Sequence, residues 1–244
     1  MDELTSSTAQ SRTVGAGHAV DWWKQAWALF MRAPGMWVVY AIIFIIAALL
    51  IGSIPLLGQV ALPLLIPVVF GGWLLAARKL ESGEKPAVGD LFSGFDQHLT
   101  PLLVVGAINM GASIVVAIVA AVVGTGAMFG GMASGMAESG AGMMAAAGVG
   151  MIAMLLMFVM FVLIGMAMWF APALVVFQQR PPVEAVKASF AAAMKNIPAL
   201  ALFSVINLLA AALAMLTFGL GWLVLLPILA LTMWVSYQDI FAAP

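Results

Sequence analysis

The sequence predicts an all-α, polytopic membrane protein, with six transmembrane helices in three hairpins and a short amphipathic helix in the cytoplasmic interface before each hairpin. Three observations predict it. Residues 33–77, 99–137, 139–179 and 196–238 contain no Asp, Glu, Lys or Arg, and about 20 apolar residues suffice to cross roughly 30 Å of hydrocarbon. All nine Lys and Arg fall into three clusters, Arg12 to Arg32, Arg78 to Lys85 and Arg180 to Lys195. Hairpins between those clusters leave every cation on one face, which the positive-inside rule assigns to the cytoplasm together with both termini. The third observation is that the segments leading into the hairpins resemble one another.

Residues 1–19 lack the basic start, apolar centre and cleavage site of a signal peptide and are expected to be a flexible cytoplasmic tail. Residues 20–244 then form one six-span domain with three internal repeats, about 20–77, 85–171 and 180–238. The expected spans lie near 36–54, 60–77, 101–124, 150–171, 199–217 and 220–237. Each hairpin opens near a proline, Pro34, Pro101 or Pro198, where the missing N–H costs nothing because a first helical turn has no intrahelical use for it. Between the third and fourth spans lies a Gly/Met-rich outer stretch, 125–148, expected to be a loop because glycine disfavours helix.

The repeat is most direct in the last two copies. Lys85-Pro86-Ala87-Val88 is followed by Phe95, and Arg180-Pro181-Pro182-Val183 by Phe190, at the same spacing. Val20 and Trp27 form a fainter third copy. Apolar residues at helical spacing mark Val88, Leu91, Phe92, Phe95 and Leu99 in one copy and Val183, Val186, Phe190, Met194 and Ile197 in another. Trp23, Trp27 and Phe30 share a face in the first. These segments are too short to span, so they are expected to lie at headgroup level, as a structural apron sealing the bundle or, alternatively, as a lipid-sensing or partner-docking surface. Trp73, Trp169 and Trp234, near the same ends of their spans, read as interfacial anchors beside Trp23, Trp27, Phe95 and Phe190.

Little in the chain suggests chemistry. The composition is 65% hydrophobic and 8% charged, far from a soluble domain, so no soluble catalytic domain is expected. Cysteine is absent, which removes disulfides and thiolate chemistry. His18 and His98 have no neighbours at metal-ligand spacing, the spans carry no acid or histidine for proton transfer, and Ser53, Ser113 and Ser204 lack a base. Asn109 and Asn207, at matching repeat positions, form the candidate intramembrane polar site, either as interhelical glue or as a solute contact. Pro67 and Pro227 are candidate helix breaks of the kind found at transporter sites. Met128, Met132 and Met136 recur every fourth residue and offer thioether ligands for Cu(I), the weaker reading beside plain packing because no His or Cys accompanies them.

At WWKQAWALFMRAPGMW, VVFGGWLLAARKLESGE, VGDLFSGF and FAPALVVFQQRPPVEAVKASFAAAMKN, the chain resembles an uncharacterised family of proteobacterial six-span inner-membrane proteins. It is more distantly similar to the membrane domain of some glycerophosphoryl diester phosphodiesterases, whose catalytic domain is not present here. The resemblance implies an architecture and an inner-membrane location, and imports no activity. The function expected is therefore a non-catalytic scaffold or accessory subunit, with the bilayer and a membrane protein or second copy as partners, no cofactor and no nucleic acid. The alternative is a permease or channel for a neutral or apolar solute.

Overall fold

A computed structural model describes residues 11–133 and 140–241. Among them are ten α-helices and one 3-10 helix. The short helices are α1 (His18–Arg32), α4 (Ser93–Gln97), which follows the 3-10 turn Val88–Phe92, α7 (Ala171–Gln178) and α8 (Pro182–Lys195). The long ones are α2 (Pro34–Gly52), α3 (Leu57–Glu81), α5 (Leu99–Ala133), α6 (Gly140–Met168), α9 (Ile197–Leu216) and α10 (Trp222–Phe241). Six segments are long and apolar enough to cross a membrane, the fourth running from Gly148 through the α6–α7 break to Gln178.

Backbone chemistry explains the boundaries. Pro34 and Pro198 stand in the first turns of α2 and α9, as expected. The fourth span breaks at Trp169 and Phe170 because Pro172 in the first turn of α7 cannot continue the hydrogen-bond ladder. The expected loop 125–148 is instead helical over residues 125–133 and 140–148, which belong to α5 and α6. Alanine and methionine are good helix formers, and they outnumber the glycines enough to keep both ends of this stretch helical. The turn between α9 and α10 is tight: a Cβ at Gly221 would sit 2.5 Å from Ala214 Cα. Gly219 takes φ 85°, open to glycine without steric cost.

The packing is circular. The short segments lean on long helices in turn: the 88–97 segment on α3, α8 on α6 and α7, and α1 on α10. The α1–α10 contact closes the ring between the first and last helices. The first spans do not repeat so evenly. α2 packs on α10 and α3, and α5 on α3 and α6, but α9 packs on α10 and α1.

Burial is concentrated at the end that carries the basic clusters. Val68, Trp73 and Leu74 of α3, Trp37, Tyr40 and Ala41 of α2, Leu102 and Val105 of α5, Ala199 and Phe203 of α9, and most of α10 from Leu225 onward are buried. The other halves expose long side chains, among them Leu49, Leu50, Ile118, Val122, Leu213 and Leu216. Where backbones meet most closely, glycine is required. Gly94 lies against Val68 and Gly72 against Leu91, and Gly106 of α5 faces Leu64 of α3. Among apolar helices in lipid, such close approach supplies the dispersion energy that holds the bundle.

Candidate functional site

The densest polar cluster joins the two ends of the chain at Asp239, in the last turn of α10. Trp22 Nε1 donates to Asp239 Oδ2 at 2.7 Å, and His18 Nδ1 lies 2.8 Å from the same oxygen. The Arg12 guanidinium pairs with Oδ1 and with the Asp239 carbonyl. The backbone follows: Arg12 N–H donates to Ile240 O at 2.9 Å. Asn196, buried between α8 and α9, accepts from Val14 N–H at 2.7 Å and donates to Arg12 O at 3.0 Å and Ala192 O at 2.9 Å. Residues 11–17 are therefore held against α8, α9 and α10, so the flexible stretch expected at 1–19 does not extend over them.

A second polar feature repairs the break in the fourth span. In an unbroken helix Phe170 N–H would donate to Met166 O. Here Ser189 Oγ of α8 stands between them, accepting from Phe170 N–H at 3.0 Å and donating to Met166 O at 2.9 Å. Both backbone groups are thereby satisfied at a buried position. The third feature is a cleft of about 510 Å³ between the end of α3 and the 88–96 segment, lined by Arg78, Lys79, Glu84, Asp90 and Asp96 with two serines and Leu75. Lys79 Nζ donates to both carboxylate oxygens of Asp90, at 3.0 and 3.2 Å, and Asp90 also accepts from Ala87 N–H at 2.7 Å. The Tyr40 hydroxyl donates to Ala87 O at 2.6 Å, tying α2 to the same loop. The cleft holds charges of both signs.

The residues expected to form an intramembrane site are not brought together. Asn109 lies half-buried on α5 and Asn207 on α9, two helices that do not pack on one another. Asn207 Nδ2 donates to Phe203 O of its own helix at 2.8 Å, and its Oδ1 is buried without a donor. Pro67 and Pro227 are buried in α3 and α10, which pack together and run through both prolines as continuous helices. Met128 and Met132 fall in the last turns of α5 beyond the described side chains, and Met136 lies outside the described residues.

Of the expected anchors, Trp73 and Trp234 are interior. Trp73 is enclosed by Trp37, Tyr40, Phe44 and Phe70, with ring centroids 5.9–6.4 Å from it. Trp234 stacks on Tyr237 and donates from Nε1 to Glu81 Oε2 at 3.1 Å. Trp169, half-buried, packs on Phe203 with ring centroids 5.0 Å apart. Trp23 packs against the core, Phe95 and Phe190 are half-buried, and Trp27 is exposed. A tryptophan near the end of a span suits an interface or a protein interior equally, and sequence periodicity does not separate the two.

His98, between α4 and α5, has its pKa held below the ordinary 6.5, first by burial and then by the Arg78 cation. The unfolded chain binds that proton more readily, so the stability carried by neutral His98 is complete above the ordinary value and is lost as pH falls through the lower folded one. His98→Gln is expected to shrink the loss of thermal stability on acidification from neutral pH. Parallel melting-temperature profiles for wild type and variant would refute it.

Arg12, His18, Ser189, Asn196 and Asp239 were not among the residues that the sequence pattern singled out as a site. One signal was available: Asp239 is the sole charged residue after Lys195, and a lone acid at the end of an aromatic-rich apolar helix needs a partner. No family model matches the chain, and no solved structure matches it. A protein of Burkholderia thailandensis described as a probable inner membrane protein is 28% identical over 206 residues, covering 82% of this chain and 75% of that one. That similarity and the six spanning helices identify an integral inner-membrane protein.

Proposed function

We propose that the chain is a non-catalytic scaffold or accessory subunit of an inner-membrane complex, with its basic end and both termini in the cytoplasm. The observation that carries this reading is the uneven burial. The basic end is plugged by wholly enclosed Trp22, Trp37, Tyr40 and Phe170, while the other halves of the spans keep apolar side chains free for helices of another subunit. The plug also weighs against a permease, since a solute crossing the bundle would have to pass it and the two asparagines line no common path. Orientation rests on the nine cations at one end.

Cysteine substitutions test both parts in the otherwise cysteine-free chain. Leu213→Cys and Leu49→Cys, at exposed positions in the outer halves, are expected to crosslink in native membranes to one defined higher-mass species. Phe218→Cys, at a wholly exposed outer turn, is expected to react with an impermeant maleimide in spheroplasts. A chain that stays monomeric with both crosslinking sites defeats the scaffold reading, and a protected residue 218 reverses the orientation.

A further inference from the structure

α1 and α8 carry identical or chemically similar residues in the same register. Val20, Lys24, Trp27 and Met31 of α1 stand where Val183, Lys187, Phe190 and Met194 stand in α8. An acid follows each valine, Asp21 or Glu184, and a cation follows each methionine, Arg32 or Lys195. Burial keeps the same register. Trp22, Ala26, Leu29 and Phe30 are buried, and so are their counterparts Ala185, Ser189, Ala192 and Ala193. The small-residue face of α8 packs inward, and of the stripe expected to seal the bundle Val183, Met194 and Ile197 are exposed, Phe190 is half-buried and Val186 packs against the core. Trp27 remains 47% exposed, Met31 56% and Val183 52%. Positions 0, 4, 7 and 11 of a helix lie on one face, so each helix has a second apolar stripe, with a lysine in it, that packing leaves exposed except at the half-buried Phe190.

We infer that these stripes are two copies of one surface element that binds anionic phospholipid headgroups of the leaflet at the basic end. Chain connectivity sets the height. A single residue, Ala33, separates α1 from span α2, and a single residue, Asn196, separates α8 from span α9, so both helices end at the membrane boundary. There the valine, aromatic and methionine side chains reach the acyl boundary while the cations stay at phosphate level, the arrangement of an interfacial helix. Each helix carries two cations against one acid, and the Lys24–Asp21 contact is long, 3.9 Å, with the lysine side chain 74% exposed. Lys24 is thus free to meet a phosphate. A second copy fits the stripe poorly, because a two-fold contact of the stripe with itself would bring the two Lys24 cations close together with no acid in the stripe to offset them.

The test uses the full-length protein, spin-labelled at Met31→Cys or Met194→Cys and reconstituted in phosphatidylcholine vesicles with and without phosphatidylglycerol. Both labels are expected to be more accessible to oxygen than to a water-soluble nickel complex, and to sit deeper when phosphatidylglycerol is present. Labels at Asp21→Cys and Glu184→Cys should stay water-accessible. High salt, or the exposed pair Lys24→Gln and Lys187→Gln, should abolish the dependence on phosphatidylglycerol. The salt comparison keeps the test decisive if that double variant accumulates poorly. Equal depth in both lipids overturns the inference, as does water access at Met31 and Met194. Spin–spin broadening between copies would overturn it in favour of a second copy.

Discussion

Gly94→Ala is expected to destabilise the bundle by about 3 kcal/mol or more and to lower its accumulation in the membrane. Inserting a methyl group into a packed interior ordinarily costs about 1 to 3 kcal/mol, when neighbouring side chains can rotate away. At Gly94 they cannot, because the obstacles are backbone: a Cβ there would stand 2.1 Å from Val68 O and 3.1 Å from Gly72 N. The contact is reciprocal. A Cβ at Gly72 would stand 2.2 Å from Leu91 O, so either methyl must lever the 88–97 segment off α3. That movement also strains Lys79–Asp90 and the Tyr40 bond to Ala87, which close the same loop. Gly89→Ala is the internal control, since a Cβ there meets nothing within 4 Å. Melting temperatures in detergent decide the matter: equal values for the two variants would mean that the 88–97 segment does not pack tightly on α3.

The membrane class and span count could be read from the sequence because charge is excluded from hydrocarbon over stretches as long as a span, a constraint that acts residue by residue. Helix ends were legible where proline set them, at Pro34 and Pro198. Which face of a short helix packs inward was not legible. Val183 and Met194 have the amphipathic spacing, yet they stay exposed while Ala185, Ser189 and Ala192 are buried, because α8 meets its neighbours at close backbone approach, where small side chains fit. Pairing by sequence resemblance failed at Asn109 and Asn207 for another reason: matching depth does not make two helices neighbours. The Asp239 cluster joins residues more than 200 positions apart, beyond the reach of any local pattern. The shared register of α1 and α8 was present in the letters, but Trp22 against Ala185 and Phe30 against Ala193 hide it until burial shows that these positions do the same thing.

Asp239→Asn is expected to release residues 11–17 and loosen α1 from α10, at a cost of about 2 to 3 kcal/mol. Hydrogen bonds to a charged group contribute about 1.5 to 3 kcal/mol each, and Asp239 accepts from Trp22 and pairs with Arg12 and His18. The sum is discounted because the Arg12 side chain is 46% exposed, although that of Asp239 is only 17% exposed. Asparagine keeps the size and one acceptor oxygen, so Trp22 can still be satisfied while the charge that holds Arg12 is gone. Amide hydrogen exchange reads the result where it matters. Arg12 N–H, bonded to Ile240 O, and Val14 N–H, bonded to Asn196, are expected to be slow in the wild type and to exchange at least about tenfold faster in the variant. The second amide is informative because its acceptor is not Asp239: its acceleration would show that the carboxylate holds the whole strap. If both amides stay protected, the backbone bonds and Asn196 hold the strap alone. The circular packing, in which α1 closes onto the last span, would then owe nothing to the charge at Asp239.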